Sequence, residues 1–181
     1  YSNSKLYLRI EDTDKNRSKN EYKDNILDGL SWLGINWDSE PQIQSQNLNR
    51  HIDIANKLLS QKKAYKCICD KSKLDERRKK INSGKTSSKK ICDSCEKNIE
   101  IQSLEKNYVI RISIPREGVG ILEDSIQGKV EVKNYEIDDY VLVRKNSAPT
   151  YMLSVVVDDH DLGVNLIIRG DDHLNNYFRQ K

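Results

Sequence analysis

Two Asp-Asp-His clusters, at 158–160 and 171–173, lie in the stretch Pro149–His173, which also contains one arginine, Arg169. Carboxylates crowded around one cation repel each other and cost stability unless a ligand binds among them. This composition is typical of a metal site or an acid–base site. For the Asp-Asp-His triplets alone, however, the structural alternative is favoured: a polar helix end followed by a polar loop.

The four cysteines fall in one short region, as a Cys67-x-Cys69 pair and a Cys92-x-x-Cys95 pair. Residues two apart on a strand point to the same face, so the first pair can aim both sulfurs at one point. The second pair has the spacing of a metal knuckle, and four thiolates predict a closed tetrahedral site for a structural Zn²⁺. Unrelated buried thiols or two disulfides are the alternatives, and disulfides are disfavoured because nothing in the sequence indicates secretion.

The segment between the cysteine pairs, Lys71 to Lys90, is strongly basic: nine Lys or Arg against two acids leave a net charge of +7. Such a segment, folded over a metal, can bind a nucleic-acid backbone, because each neutralised phosphate releases condensed counterions. Considered alone, a charged run is more often a solvated helix face. The candidate backbone contacts are Arg77, Arg78, Lys79 and Lys80.

The elements that must position these groups begin with a strand. In Leu6–Ile10, aliphatic side chains alternate with Tyr7 and Arg9, and the segment ends in the acidic turn 11–14. The ends of strands are where α/β proteins place their catalytic and binding residues. Ser18 and Glu21 have the spacing of a capping box, which predicts a helix that ends near Gly34. A second amphipathic helix is predicted from four apolar residues at helical spacing: Leu48, Ile52, Ala55 and Leu59.

The middle of the chain favours β-structure. Short strands are predicted at 64–69, 108–114, 130–132 and 140–143. A helix is predicted from Pro149 to Gly163, then a buried-type strand at 166–168 and a last helix from about Asp172. The order predicts α/β structure at both ends of the chain, with a more β-rich insert between them.

The composition is rich in surface charge, with 33% charged and 36% hydrophobic residues among 181. The longest apolar run, Leu153–Val157 with Ser154 inside it, is far too short to span a bilayer, which excludes a membrane-spanning class of protein. A chain of this length can bury a core as one domain or as two small ones.

Three blocks of the sequence together resemble the bacterial glutamyl-tRNA synthetases, a family of class I aminoacyl-tRNA ligases. They are LYLRIEDTD at 6–14, AYKCICD at 64–70 and DYVLVRKNSAPTYMLSVVVDDHDLGVNLIIRGDDHLNN at 139–176. The resemblance keeps their order and extends over essentially the whole chain. The first and last blocks are long and specific, whereas the segment 71–105 matches only in its cysteine framework.

The resemblance implies a split Rossmann-type catalytic domain, present in part, with an inserted α+β connective domain that binds the tRNA acceptor stem and carries a zinc knuckle. It implies a first Rossmann half at 1–46, the connective, zinc-bearing insertion at 47–138 and the start of the second half at 139–181. The HIGH and KMSKS signatures of the family are absent and would lie before Tyr1 and beyond Lys181. We therefore expect this fragment alone not to activate glutamate.

The activity implied is the activation of glutamate with ATP and Mg²⁺ to glutamyl-adenylate and its transfer to the 3′ end of tRNA(Glu), with tRNA(Gln) left open as a second acceptor. On the matching motif positions, Glu11 would hold the substrate ammonium, Arg169 the γ-carboxylate, and Tyr151 would close the pocket. Asp172 and His173 fall on the ATP or adenosine side. No catalytic residue is expected within the chain, and a cytoplasmic monomer without membrane partners is implied.

Two other functions fit parts of the pattern. A glutamyl-queuosine tRNA(Asp) synthetase-like paralogue shares RIEDTD and zinc, but the run 172–176 favours the ligase proper. A non-catalytic zinc or tRNA-acceptor-binding module would bind RNA without binding glutamate. Under the leading hypothesis, Asp158, Asp159 and His160 organise the strand and helix ends beneath the pocket.

Overall fold

A computed structural model describes residues 5–13, 18–83, 90–92 and 94–181. The strands are β1 Arg9–Ile10, β2 Gln42–Ile43, β3 Ala64–Cys67, β4 Val109–Ile112, β5 Val119–Asp124, β6 Gly128–Lys133 and β7 Val141–Val143. The helices are α1 Asn20–Trp32, α2 Leu48–Ser60, α3 Lys71–Asn82, α4 Ser94–Lys97, α5 Ile99–Ser103, α6 Tyr151–Asp161 and α7 Leu174–Gln180. Short 3₁₀ helices cover Gln44–Asn47, Asn134–Glu136 and Asp171–His173.

The main core lies where α2 and α6 pack on the antiparallel sheet β3–β4–β7. Its buried side chains are all apolar, and they come from both helices and all three strands: Ala55, Ala64, Ile110, Leu142, Val143, Leu153 and Val157. The predicted apolar face of α2 is confirmed for three of its four residues, since Ala55 is fully buried and Ile52 and Leu59 pack beside it, whereas Leu48 is 40% exposed. This packing sets the position of α6, and therefore of the side chains at both of its ends.

A buried carboxylate, Asp139, connects the sheet to the cysteine region. Its carboxylate accepts a hydrogen bond from the Tyr65 hydroxyl at 3.1 Å and forms an ion pair with Arg116. Its backbone carbonyl accepts from Arg111 Nη1 at 2.8 Å. Because Tyr65 lies two residues before Cys67 on β3, both side chains point to the same face, and this network supports the strand that carries the first cysteine.

The hairpin β5–β6 packs on α7 through a close approach at Gly120. A side chain on Gly120 would place its Cβ 2.9 Å from a ring carbon of Phe178, so the absence of a side chain lets the ring reach the hairpin. The sequence predicted only the β6 side of this hairpin. The β5 sequence, VGILED, contains glycine and two acids, which are depleted in strands, and its pairing with β6 supplies the missing stability.

The predicted strand at 166–168 is wrong. The segment has no regular secondary structure, and Leu166 is 74% exposed and Ile168 is 92% exposed. A strand exists only through ladder hydrogen bonds to a neighbour, and in the described part of the chain no strand pairs with this segment.

The predicted capping box at Ser18 and Glu21 is also wrong, although the helix itself is confirmed. Helix α1 begins at Asn20, and its N-cap is Lys19, which makes no side-chain capping hydrogen bond. Ser18 therefore precedes the capping position by one residue. The predicted stop is confirmed, because Gly34 has a φ of +74°, which glycine adopts without strain.

Candidate active site and metal centre

The first turn of α6 presents Tyr151. The preceding Thr150 is extended and donates its hydroxyl to the Val141 carbonyl at 2.7 Å, which ties the start of the helix to β7. Tyr151 itself is 37% exposed, whereas Leu153 and Ser154, two and three residues later, are buried. The packing of the helix thus leaves the Tyr151 ring at the surface, where a ligand can contact it.

The opposite end of α6 contains the first acidic cluster, and Asp158 is its buried member. The Asp158 carboxylate accepts hydrogen bonds from Gln44 Nε2 at 2.8 Å, Asn47 Nδ2 at 2.7 Å and His51 Nε2 at 2.8 Å. Burial opposes its charge, but the hydrogen bonds outweigh burial and lower the pKa of Asp158. The residue therefore joins α6 to α2 and to the 3₁₀ helix that precedes α2.

Each flanking carboxylate of this cluster has its own cation. Asp159 accepts from Arg9 Nη1 at 2.6 Å, and Asp161 accepts from Arg50 Nε and Nη2 at 2.8 and 2.9 Å. These partners offset the unfavourable placement of carboxylates at a helix C-terminus. The expectation that the carboxylates of both Asp-Asp-His clusters crowd around Arg169 is therefore wrong for Asp158 and Asp159. The organising role expected of Asp158 and Asp159 is confirmed. The same expectation is wrong for His160, which is exposed and, in the described part of the chain, pairs with its neighbour Asp161 rather than with another element.

Replacement of Asp158 by alanine should lower the free energy of unfolding by about 3 kcal/mol, because three donors lose their buried acceptor. Since the folded-state pKa lies below the ordinary value of about 4, this contribution is present above that pH and is lost as the pH falls through the folded pKa. Urea unfolding of the full-length protein at pH 7 and in acid measures both effects. Asp161→Ala, which removes a solvent-exposed pair, is the control; an equal loss in both variants would contradict the buried role.

The acidic turn after β1 is held from two sides. Glu11 accepts from Arg9 Nη2 at 3.0 Å, and Asp12 accepts from the backbone N–H and the hydroxyl of Ser45 at 2.8 and 2.6 Å. The Glu11 carboxylate stays exposed. Asp14, the last residue of the turn, lies outside the described residues. The turn is thus anchored to the start of the 3₁₀ helix 44–47 while Glu11 remains available to a ligand.

Arg169 lines a cavity of about 1010 Å³ between the tip of the β5–β6 hairpin and the segment 165–174. Its Nη1 donates to Gln180 Oε1 at 2.9 Å. Asp172 and His173 lie next to it on the 3₁₀ helix 171–173, both exposed, with His173 Nε2 3.6 Å from an Asp172 oxygen. Neither Glu11 nor Tyr151 lines this cavity, so the structure groups Arg169 with the second acidic cluster and Glu11 with the first.

The four cysteine sulfurs form a compact cluster, as the spacing predicts. The sulfurs all lie within 4.8 Å of one another, with Cys69 Sγ 3.2 Å from Cys92 Sγ and 3.6 Å from Cys95 Sγ. All four cysteines are free thiols, which removes the disulfide alternative for this structure. Only Cys67 belongs to β3; Cys69 lies just past the strand, so the loop, in addition to the pleat, brings the first pair together.

The donor set fits a tetrahedral metal. Zinc–sulfur bonds of about 2.3 Å imply sulfur–sulfur separations of about 3.8 Å, close to those of the cluster. A hydrogen bond from Cys67 lowers the pKa of Cys92 to about 4, while burial and the hydrogen bond with Cys92 raise the pKa of Cys69 to about 12. Without a cation, negative charge on several of these sulfurs at once is disfavoured at such distances. A divalent cation would allow all four to ionise.

The basic helix α3 begins at a capped residue, Asp70, whose carboxylate accepts from the Lys73 N–H at 2.8 Å. Arg77 is half-buried and donates to the Lys90 carbonyl, which connects α3 to the second cysteine pair. Arg78 is exposed and pairs with Asp75 at 2.9 Å, and Lys79 and Lys80 are exposed. Of the four candidates for contact with a nucleic-acid backbone, three therefore face solvent, and the fourth, Arg77, supports the loop that leads to Cys92.

Comparison with known proteins decides the family. Residues 1–181 match the family described as tRNA synthetases class I (E and Q), catalytic domain. The chain belongs to this family. The resemblance read from the RIEDTD and VVDDHD blocks is thereby confirmed.

Relatives of this synthetase domain are named as ligases for glutamate. Glutamate–tRNA ligase 2 of Ehrlichia chaffeensis is 44% identical over 180 residues, which is 99% of this chain and 38% of the relative. Glutamate–tRNA ligase 1 of Orientia tsutsugamushi is 45% identical over 179 residues, covering 97% of this chain and 37% of the relative. The chain therefore spans well under half the length of the curated relatives that it matches.

Solved structures give the same result for the fold. A glutamate tRNA ligase from Elizabethkingia meningosepticum, crystallised in complex with its amino acid, matches 98% of this chain with a TM-score of 0.84 and 27% identity, over 39% of its own chain. The glutamate-tRNA synthetase of Elizabethkingia anophelis matches equally well. The α/β fold of the class I catalytic domain is thus confirmed. None of the helices in the described ranges is long and apolar enough to cross a membrane.

Several residues of this synthetase site were missed by the sequence analysis. Arg9 carried a readable signal, because it lies two residues before Glu11 on a strand and the two side chains share a face. His51 and Gln44 carried none, since each meets Asp158 from more than 100 residues away in the chain.

Proposed function

We propose that the full-length protein containing this chain is a glutamate–tRNA ligase that forms glutamyl-adenylate and transfers glutamate to the 3′ end of tRNA(Glu). The observation that carries the proposal is the family match over 1–181, together with relatives at about 44% identity that are named glutamate–tRNA ligases.

The proposed pocket complements the charges of glutamate. Glutamate carries one ammonium and two carboxylates, so a site needs an acid for the first and a guanidinium for the side chain. Glu11, exposed after β1, takes the ammonium; Arg169 takes the γ-carboxylate; and the Tyr151 hydroxyl closes the pocket. An amide cannot neutralise Arg169, which disfavours glutamine.

The chemistry then needs positioning more than a protein nucleophile. The free α-carboxylate oxygen attacks the α-phosphorus of ATP, supplied with Mg²⁺, and pyrophosphate leaves; a terminal ribose hydroxyl of tRNA next attacks the carbonyl carbon and AMP leaves. Holding the reacting groups in line supplies most of the acceleration. Asp172 and His173, adjacent and exposed beside Arg169, are proposed to contact the adenosine side.

The middle of the chain is proposed to bind the acceptor stem. The first Rossmann half is assigned to 1–46, the connective insertion to 47–138 and the second half to 139–181. Zn²⁺ held by the four cysteines would stabilise the fold of the insertion, with no role in the reaction. The exposed cations of α3 then lie on the same insertion and contact tRNA phosphates, and the enzyme acts as a cytoplasmic monomer.

Charging of total bacterial tRNA by the full-length protein tests the proposal. Glutamate should become attached to tRNA(Glu), and removal of the 3′-terminal adenosine should abolish the product. Attachment to tRNA(Asp) that survives this truncation would favour the queuosine-modifying paralogue. Binding of tRNA without binding of glutamate, measured by calorimetry, would favour the non-catalytic module.

A further inference from the structure

We propose that Arg9 is a positioning residue that holds the Glu11 carboxylate in place and couples it to helix α6. This inference rests on the proposed function, since it assigns Glu11 to the substrate ammonium. It adds a residue that touches no substrate atom itself and acts only through Glu11.

The contacts of Arg9 carry the proposal. One guanidinium nitrogen, Nη2, lies 3.0 Å from Glu11 Oε1, and the other, Nη1, lies 2.6 Å from Asp159 Oδ1. The Arg9 side chain is 19% exposed against 37% for Glu11, so the guanidinium lies beneath the carboxylate that a ligand can reach. A planar guanidinium that binds two carboxylates at once fixes their relative position, which a point charge cannot do.

The pair connects two elements that both contribute to the proposed pocket. Asp159 lies on α6, eight residues after Tyr151, or about 12 Å along a helix that rises 1.5 Å per residue. Arg9 is also held by the pairing of β1 with β2, where it lies opposite Gln42. Arg9 therefore sets the distance between the turn that carries Glu11 and the helix that carries Tyr151.

The charges of the group suit a single ammonium. Glu11 and Asp159 carry two negative charges and Arg9 one positive charge, so one negative charge remains for the ligand. Without Arg9, two carboxylates face each other across the same space, and their repulsion favours separation. The substrate ammonium would then have to order the Glu11 side chain on binding, and the cost of ordering it would reduce the binding free energy of glutamate.

The chain offers a matched control at the same end of α6. Arg50 binds Asp161 through two hydrogen bonds of 2.8 and 2.9 Å, a pair as well formed as that of Arg9. In the described part of the chain, Arg50 contacts no residue of the proposed pocket. Arg50→Met therefore measures the effect of losing an ion pair at the end of α6. Arg9→Met measures that effect together with the loss of Glu11 positioning.

The experiment is steady-state kinetics of full-length variants with total tRNA present. Arg9→Met should raise the glutamate KM by about 10-fold or more and leave the ATP KM within about twofold, whereas Arg50→Met should change neither beyond about twofold. Arg9→Lys should restore part of the loss. The effects of Asp159→Asn and Glu11→Gln on the glutamate KM should be non-additive when Arg9 is present and additive in proteins that already carry Arg9→Met, because Arg9 carries their coupling.

Two outcomes separate the failure of this inference from the failure of the proposed function. If Glu11→Gln raises the glutamate KM while Arg9→Met behaves like Arg50→Met, Arg9 is overturned as a positioning residue and the pocket stands. If Glu11→Gln leaves the glutamate KM unchanged, the pocket assignment fails and the inference fails with it. Should Arg9→Met not fold, as judged by circular dichroism, Arg9→Lys and Asp159→Asn decide the question by the same KM comparison.

Discussion

Replacement of Arg169 by alanine in the full-length protein is expected to raise the KM for glutamate by about 100-fold or more, with the KM for ATP nearly unchanged. Removing one partner of a desolvated, hydrogen-bonded charge pair costs about 2–5 kcal/mol, because the other charge is left without its counterion. Here that other charge is the γ-carboxylate of the substrate. The effect should therefore appear in the KM for glutamate, the substrate that carries this charge.

The position of Arg169 supports this expectation. It lines the cavity of about 1010 Å³ beside the hairpin β5–β6, and among the described residues its guanidinium donates to a neutral amide, that of Gln180. A neutral partner can be exchanged for a carboxylate at little cost, since charge-assisted hydrogen bonds are the stronger. Arg169→Lys should recover little of the loss, because an ammonium cannot make the planar two-point contact.

Arg179→Gln is the matched control for Arg169→Ala. Arg179 lies ten residues further along the chain and pairs with Asp138 at 2.8 Å, and it does not line the cavity. Steady-state kinetics of both variants, with glutamate and ATP each varied, distinguish the loss of a pocket arginine from the loss of an arginine outside the pocket. A glutamate KM that is the same in Arg169→Ala and in the wild type would remove Arg169 from the pocket.

Replacement of Cys92 by serine is expected to abolish zinc binding and to unfold the cysteine region. Structural zinc contributes about 10–16 kcal/mol of binding free energy in small zinc domains, and that energy is available to folding only when the ligand set is complete. Cys92 Sγ lies 3.2 Å from Cys69 Sγ and accepts from the Cys95 N–H at 3.4 Å, so it contacts both of these cysteines.

Elemental analysis of protein made without chelator measures this directly. The wild type should contain about one zinc per chain and Cys92→Ser almost none, and Co²⁺ added to metal-free wild type should give a tetrahedral thiolate spectrum. Ser94→Ala is the control: its hydroxyl lies 3.6 Å from Cys92 Sγ but supplies no ligand. Zinc well below one per chain in the wild type, or equal zinc in Cys92→Ser, would refute the metal centre.

Local signals explain what could be predicted from the sequence. The helical spacing of Leu48, Ile52, Ala55 and Leu59 identified α2, because one apolar stripe is enough to define a helix that packs on a core. The cysteine spacing identified the cluster for a similar reason, since two pairs need only a short loop to converge. Family resemblance then supplied Glu11, Tyr151 and Arg169, whose roles no spacing rule contains.

What could not be predicted depends on partners that are distant in sequence. The apolar run 166–168 has the composition of a strand, but a strand needs a neighbour, and composition does not reveal whether one is there. The sequence places Asp158 in a cluster of acidic residues. Its three hydrogen-bond donors, however, lie 107 to 114 residues earlier in the chain. Counting charges along the sequence overestimates the repulsion among these carboxylates, because cations such as Arg9 and Arg50 contact them from other elements.

The most direct test of the proposed function is ATP–pyrophosphate exchange by the full-length protein with total tRNA present and each amino acid supplied in turn. Exchange should depend on glutamate, fall strongly in Arg169→Ala and remain near the wild-type level in Arg179→Gln. Exchange driven by another amino acid, or none with glutamate while the protein is folded and binds ATP, would contradict the account.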